Sequence, residues 1–133
     1  GFQEAAQELG LAPPQLHTVK APATLHSGRE GLAQFLGAEP GVDSVFCSSD
    51  MLAMGVLIEA RQRQLEVPRE LAVLGVGDLS FAADLEPALS SIHLHGAAIG
   101  QRAAECLLAR IGGAERTAVV ENTGFSIITR GTT

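Results

Sequence analysis

The stretch Leu71-Ala72-Val73-Leu74-Gly75-Val76 is a nearly continuous apolar run with no alternating polar face. A strand of that composition is covered on both sides, as strands of a parallel sheet are, because crossover helices lie on both faces of the sheet. A second run, Val42-Asp43-Ser44-Val45-Phe46-Cys47, comes before it. Between the two, Met51, Met54, Leu57, Ile58 and Arg61 recur at helical spacing up to Gln64, and Val67-Pro68 ends that helix. Strand, helix and strand in this order imply a right-handed crossover between parallel strands, so the chain reads as an open parallel α/β sheet flanked by helices.

The flanks extend this pattern. Phe2, Ala5, Ala6 and Leu9 sit at helical spacing before Gly10 and Pro13-Pro14, and Leu16 to Lys20 alternates like a short strand. Ser27 followed by Glu30 predicts a capping box opening a helix from about Gly28 to Gly37, with Leu32, Phe35 and Leu36 as its apolar stripe. After a polar loop with Pro87 come a strand at Ser91 to Leu94 and a helix marked by Ile99, Ala103, Cys106, Leu107 and Ile111, which Gly112-Gly113 stops. Thr117 to Glu121 and Phe125 to Thr129 read as two closing strands around Asn122-Thr123-Gly124.

Composition narrows the function. Nine Lys and Arg against fifteen Asp and Glu give a formal charge of -6, the wrong sign for a surface that follows nucleic-acid phosphates. With no Trp, no Tyr and five Phe, recognition must rest on hydrogen bonds rather than aromatic stacking. Cys47 and Cys106 form no C-x-x-C pair and read as two small buried thiols rather than a metal or disulfide framework, as in a reducing compartment. No apolar run approaches the roughly 20 residues that span a bilayer, so no membrane partner is expected. The sequence opens at Gly1-Phe2 inside a helical pattern, as an excised fragment would.

Two strand ends are small and polar where bulky apolar residues would otherwise continue: Cys47-Ser48-Ser49-Asp50 and Gly75-Val76-Gly77-Asp78-Leu79-Ser80. Ligands of open parallel sheets bind at such carboxyl ends, where the following helix presents free N-H groups. Helix capping explains Ser48, Ser49 and Asp50 equally well, and Gly75-x-Gly77 lacks the third glycine of a dinucleotide loop. His93 and His95 share one face of an extended strand but have no third ligand for zinc. No cofactor is expected.

Taken in order, VDSVFCSSDMLAMGVLIEARQRQLEVPRELAVLGVGDLSFA, PALSSIHLHGAAIGQRAAECLLARIGG and SIITRGTT resemble the effector-binding region of LacI/GalR-family bacterial transcription regulators, over nearly the whole chain. The resemblance implies a type I periplasmic-binding-protein-like clamshell of two α/β subdomains. In that scheme 11-90 is C-terminal subdomain, 96-112 the helix returning to the N-terminal subdomain, and 117-130 the closing strands. It also implies a homodimer, with Leu57, Ile58 and Arg61 as candidate interface residues, and operator DNA bound through a headpiece not in this chain. His93, His95, Asn122 and Gly124 would lie at hinge crossovers. By match to the motif, Ser49 stands where many relatives use Asn to bond sugar hydroxyls, with Asp50 behind it as cap. Gly77 replaces an effector-binding Asp, and Gly77-Asp78-Leu79 is similar to regulators of gluconate utilisation, whose effector is a sugar acid. The expected effector contacts are Ser49, Asp50, Gly77 and Asp78. The alternative is a periplasmic sugar-binding protein; an enzyme using Asp50 and Asp78 as acid and base ranks last, because no nucleophile, metal or cofactor is expected beside them.

Overall fold

The computed structural model describes residues 1-113, 118 and 120-133. Four strands form one sheet in the order β1-β2-β3-β4: β1 (Ser44–Phe46), β2 (Ala72–Val76), β3 (Ser90–Leu94) and β4 (Phe125–Ile128). The first three run parallel, with Val45 opposite Val73 and Gly75 opposite Ser91. β4 departs from the all-parallel expectation and pairs antiparallel with β3, Leu94 opposite Phe125 and Ser91 opposite Ile128. The chain leaves and re-enters at the same end of the sheet, so its last strand must run back down.

Helix α1 (Phe2–Glu8) opens the chain, α2 (Leu25–Ala38) precedes β1, α3 (Asp50–Gln62) joins β1 to β2, and α4 (Gly96–Ile111) joins β3 to β4. A short 3-10 helix, Ser80–Asp84, lies between β2 and β3. The expected strand at 16-20 does not form. Val19 packs against the core and His17 meets Phe35 edge-on at 6.0 Å, so side-chain burial holds this segment without a ladder. Helix α2 begins earlier than the Ser27-Glu30 box predicts, because Thr24 is the cap: its Oγ1 accepts from the Ser27 backbone N-H at 3.1 Å. Glu30 pairs with His26 at 3.2 Å rather than reaching back to the helix start. Of the strand expected over 117-121, Thr117 and Val119 lie outside the described residues.

One face of the sheet carries the core. Val45 and Val73 pack with Leu32 of α2, with Leu52, Ala53, Val56 and Ala60 of α3, and with Leu71 and Leu89. The two helices meet at glycines: a methyl at Gly28 would overlap the Leu52 carbonyl oxygen, and one at Gly55 would overlap that of Leu25. The backbones are in direct contact there, and α3 is thereby drawn down onto the sheet. The strand register places Phe46, Leu74, Val76, Ile92, Ile127, Leu94 and Phe125 on the opposite face. On that face the Phe2 ring of α1 stacks 5.3 Å from that of Phe46. Helix α4 buries none of its residues. It stands outboard, joined to the sheet through the ends of β3 and β4.

Substitution Gly55→Ala should cost about 1–3 kcal/mol of unfolding free energy, the usual range for an overpacked contact. Gly37→Ala, on the same pair of helices but facing open space, should leave the urea midpoint unchanged or slightly higher. Equal midpoints for the two variants would contradict the backbone contact.

Candidate functional site

Ser49 ends the segment after β1 and caps α3: its Oγ accepts from the Leu52 backbone N-H at 3.3 Å. The cap expected of Asp50 therefore belongs to Ser49, because Asp50 is itself the first helical residue. Its side chain is fully buried and turns toward the neighbouring strands. There Oδ1 accepts from Ser91 Oγ at 2.6 Å and Oδ2 from the Leu79 backbone N-H at 2.7 Å. A side chain at Gly75 would collide with that same Oδ1, so the glycine in β2 is the space Asp50 occupies.

The segment after β2 is bent by two left-handed residues, Gly77 at φ +125 and Asp78 at φ +51. The first suits glycine, while the second costs an L-residue on the order of 1–3 kcal/mol and persists only where neighbours over-determine it. They do. The Gly77 N-H donates to the Ile92 carbonyl at 2.9 Å and the Asp78 N-H to Ser91 Oγ at 3.0 Å. The Asp78 carboxylate accepts from Arg130 Nη2 at 2.7 Å on one oxygen and meets His93 Nδ1 at 3.1 Å on the other. Arg130 Nη1 donates to the Leu89 carbonyl at 2.7 Å, and the Arg130 N-H to Ser90 Oγ at 2.8 Å. The guanidinium hydrogen bond holds the Asp78 carboxyl below its usual range, against partial burial, with the charges of Arg130 and the His93 contact adding to it.

Two residues beyond Arg130 the backbone is anchored at Thr132, and Ser90 Oγ, which accepts the Arg130 N-H, also bonds Thr133 Oγ1 at 2.7 Å. Thr132 is fully buried, receives the Ser90 N-H at 2.8 Å and donates to the Val73 carbonyl at 2.7 Å. Ser91, Arg130 and Thr132 are the residues that a reading of strand ends misses. Their signal is nonetheless present: two serines inside a strand pattern, and Arg130 as the basic residue of the closing Arg-Gly-Thr-Thr.

The expected hinge residues do come together. The rings of His93 and His95 lie 5.6 Å apart, Gly124 sits against His95, and Asn122 Oδ1 accepts from the Gly124 N-H at 2.9 Å. An open hollow of about 600 Å³ lies at this junction, lined by His93, Leu94, His95 and the first residues of α4. Ser49 and Asp78 do not line it; their rim is the open edge formed by the ends of β1 and β2. On α3, Leu57 packs against the core, whereas Ile58 and Arg61 face outward. Glu59, buried beside them, is bound by Arg63 Nε at 2.8 Å and Arg29 Nε at 3.1 Å. Cys47 is buried under the rim, and desolvation with the nearby charge of Asp50 pushes its thiol up to about 12. Among the described residues no cluster of three His, Cys, Asp or Glu could hold a metal ion, and no helix is long and apolar enough to cross a membrane.

A mostly parallel sheet with helices packed on it and polar loops at its strand carboxyl ends is the arrangement expected of periplasmic-binding-protein-like α/β domains. The profile of the periplasmic binding protein-like domain family matches residues 1-133, and the chain belongs to that family. It is 41% identical over 134 residues to the HTH-type transcriptional regulator GntR of Pseudomonas aeruginosa, covering 100% of this chain and 39% of that protein. It is 30% identical over 127 residues to the regulator IdnR of Escherichia coli, covering 96% of this chain and 38% of that protein. The chain thus spans about two-fifths of the length of these relatives. Among solved structures, transcription regulator GntR from Chromobacterium violaceum superposes with a TM-score of 0.85 at 30% identity, over 99% of this chain and 49% of that one. A complex of the regulator CelR with cellobiose gives 0.89 at 26% identity, over 99% and 40%. These relatives are transcription regulators, and the similarities lend no support to a periplasmic sugar-binding protein.

Two outcomes are expected. In the native protein at pH 8, a thiol reagent should modify the half-buried Cys106 and reach Cys47 only after denaturant is added. Prompt modification of Cys47 would mean that the rim opens freely. The second concerns acid. A depressed carboxyl contributes stability that is complete above the ordinary carboxylate value, about 4, and is lost as pH falls through the lower folded value. Asp78→Asn should therefore lower the urea midpoint at pH 7 and make it fall less steeply with acid than in wild type, with the slope from Glu59, also held low by Arg63 and Arg29, remaining in both.

Proposed function

We propose that this chain is the effector-binding and dimerisation part of a cytoplasmic LacI-type DNA-binding transcriptional regulator whose effector is a small sugar acid of the gluconate type. One observation carries the choice of a sugar acid: position 77 has no side chain, and the Asp78 carboxylate beside it is already matched by Arg130 and His93. Asp50 is buried under the same rim with both oxygens engaged. The rim thus presents the Ser49 hydroxyl, and the two carboxylates beside Gly77 are both engaged, Asp78 with Arg130 and His93 and Asp50 with Ser91 and the Leu79 N-H. The similarity to regulators named GntR and IdnR points the same way.

In this proposal the Ser49 hydroxyl and the backbone around Gly77 contact the effector, Asp50 and Asp78 hold those groups in place, and Ile58 and Arg61 on the outer face of α3 serve the homodimer. His93, His95, Asn122 and Gly124 form the hinge. Effector binding changes operator affinity only by the difference in effector affinity between the two closure states. A tightly bound ligand with no such preference would leave the operator complex unchanged.

Calorimetry on the full-length regulator tests this with D-gluconate and D-glucose as probes. Gluconate should bind at least tenfold more tightly than glucose. Ser49→Ala should weaken gluconate by about twofold to tenfold, the range of a single hydrogen bond of 0.5–1.5 kcal/mol. Gly77→Asp should weaken it further and leave glucose less affected, because a carboxylate would then face the anion. Equal binding of both sugars, or indifference to Gly77→Asp, would overturn the sugar-acid assignment.

A further inference from the structure

The loop Gly77 to Leu79 is held from three directions. Asp50 of α3 receives the Leu79 N-H, Ser91 of β3 receives the Asp78 N-H, and Arg130 and His93 grip the Asp78 carboxylate. Two of these, His93 and Arg130, belong to the pair of chain segments that carry α4. Helix α4 leaves β3 at His95 and returns to β4 after Gly124, so any rotation of α4 against the sheet takes place at the ends of those segments. Arg102 of α4 adds a tie to the returning segment, its Nε 2.5 Å and its Nη2 2.6 Å from the Glu121 carboxylate.

We propose that Arg130, seconded by His93, is a positioning residue for the effector crevice, acting through the Asp78 carboxylate to hold the 77-79 loop and to bind it to the hinge strands. The inference rests on the reading of the strand-end rim as the effector site and deepens it. Asp78 has a left-handed backbone that needs outside support, and its side chain spends itself on Arg130 and His93. Its task is to transmit the placement of β3 and β4 to the rim. Gly77, with its N-H on the Ile92 carbonyl, and Leu79, with its N-H on Asp50, move with it.

Amide hydrogen exchange by mass spectrometry on the ligand-free full-length protein tests the tie without reference to any ligand. Arg130→Gln and Asp78→Asn should each raise exchange of a peptide spanning 76-80 about tenfold, with peptides from α2 and α3 unchanged. The double variant should exchange no faster than the faster single, because both act at one contact. Arg130→Lys should restore part of the protection, since an ammonium reaches Asp78 but cannot also donate to the Leu89 carbonyl from a planar fork. His93→Gln, at a half-exposed ring, should raise loop exchange less and leave the melting temperature unchanged. Unchanged loop exchange in Arg130→Gln, a uniform rise across the whole domain, or singles that multiply in the double would each overturn the proposal. Gluconate calorimetry on the same variants then separates the two readings: affinity should fall in the order of loop exchange. A wild-type protein that ignores gluconate would remove the ligand assignment and leave the exchange comparison to decide the tie.

Discussion

The buried carboxyl of Asp50 is the interaction on which the end of the sheet depends. A group of this kind, without partners, would be expelled or would cost several kcal/mol in an apolar interior. Here it joins three pieces that are distant in sequence: the first turn of α3, the Ser91 hydroxyl of β3 and the Leu79 N-H of the loop after β2. Ser91 relays the connection, because its oxygen donates to Asp50 and accepts from the Asp78 N-H. Gly75 has no side chain because the carboxyl fills that space, and the Cys47 thiol is pushed up by its burial and, secondarily, by the nearby charge of Asp50. One small residue, one hydroxyl and one carboxyl therefore fix where α3 begins, which sets Ser49 at the rim.

The closing segment does a similar task from the other side. Thr132 exchanges backbone and side-chain bonds with Val73 and receives the Ser90 N-H, so it fills the place of a strand beside β2 below the start of β3. Arg130 stands two residues before this anchor. Its guanidinium reaches Asp78 with the backbone already fixed, which limits the side-chain entropy the ion pair must overcome. An exposed arginine of equal charge, such as Arg69 on Glu66, lacks that preparation and contributes little.

The alternation of elements from Val42 to Val76 was legible from hydrophobic periodicity, since buried strands and an amphipathic helix leave different signatures in the chain. Helix starts were less so. Ser27 with Glu30 matches a capping box by type, yet Thr24 caps one turn earlier, its Oγ1 accepting the Ser27 N-H while Glu30 turns to His26. The strand at 16-20 failed for the opposite reason: alternation described burial of Val19 against the core, but no neighbouring strand offered a ladder. At the site, the strand ends marked Ser49, Asp50, Gly77 and Asp78 as special. Which of them faces outward depends on side-chain direction, and that is set by Ser91 and Arg130, residues 13 and 52 positions from Asp78 in the chain. Local patterns carry no record of such pairings.

A chain with a formal charge of -6 has to arrange any welcome for an anion locally. At this rim the arrangement is the Asp78-Arg130 pair, which removes one negative charge from the crevice by matching it. The same pair is the tie from the loop to the segment that follows β4, so local charge and strand placement are not independent. If the crevice takes a sugar acid, that ligand binds beside a loop whose carboxylate Arg130 already holds, so the ion pair stays whole and the 77-79 backbone keeps its place. A ligand moves a two-state equilibrium only through its differential affinity. In the proposed reading that difference depends on how the held 77-79 loop faces the ligand in each closure state.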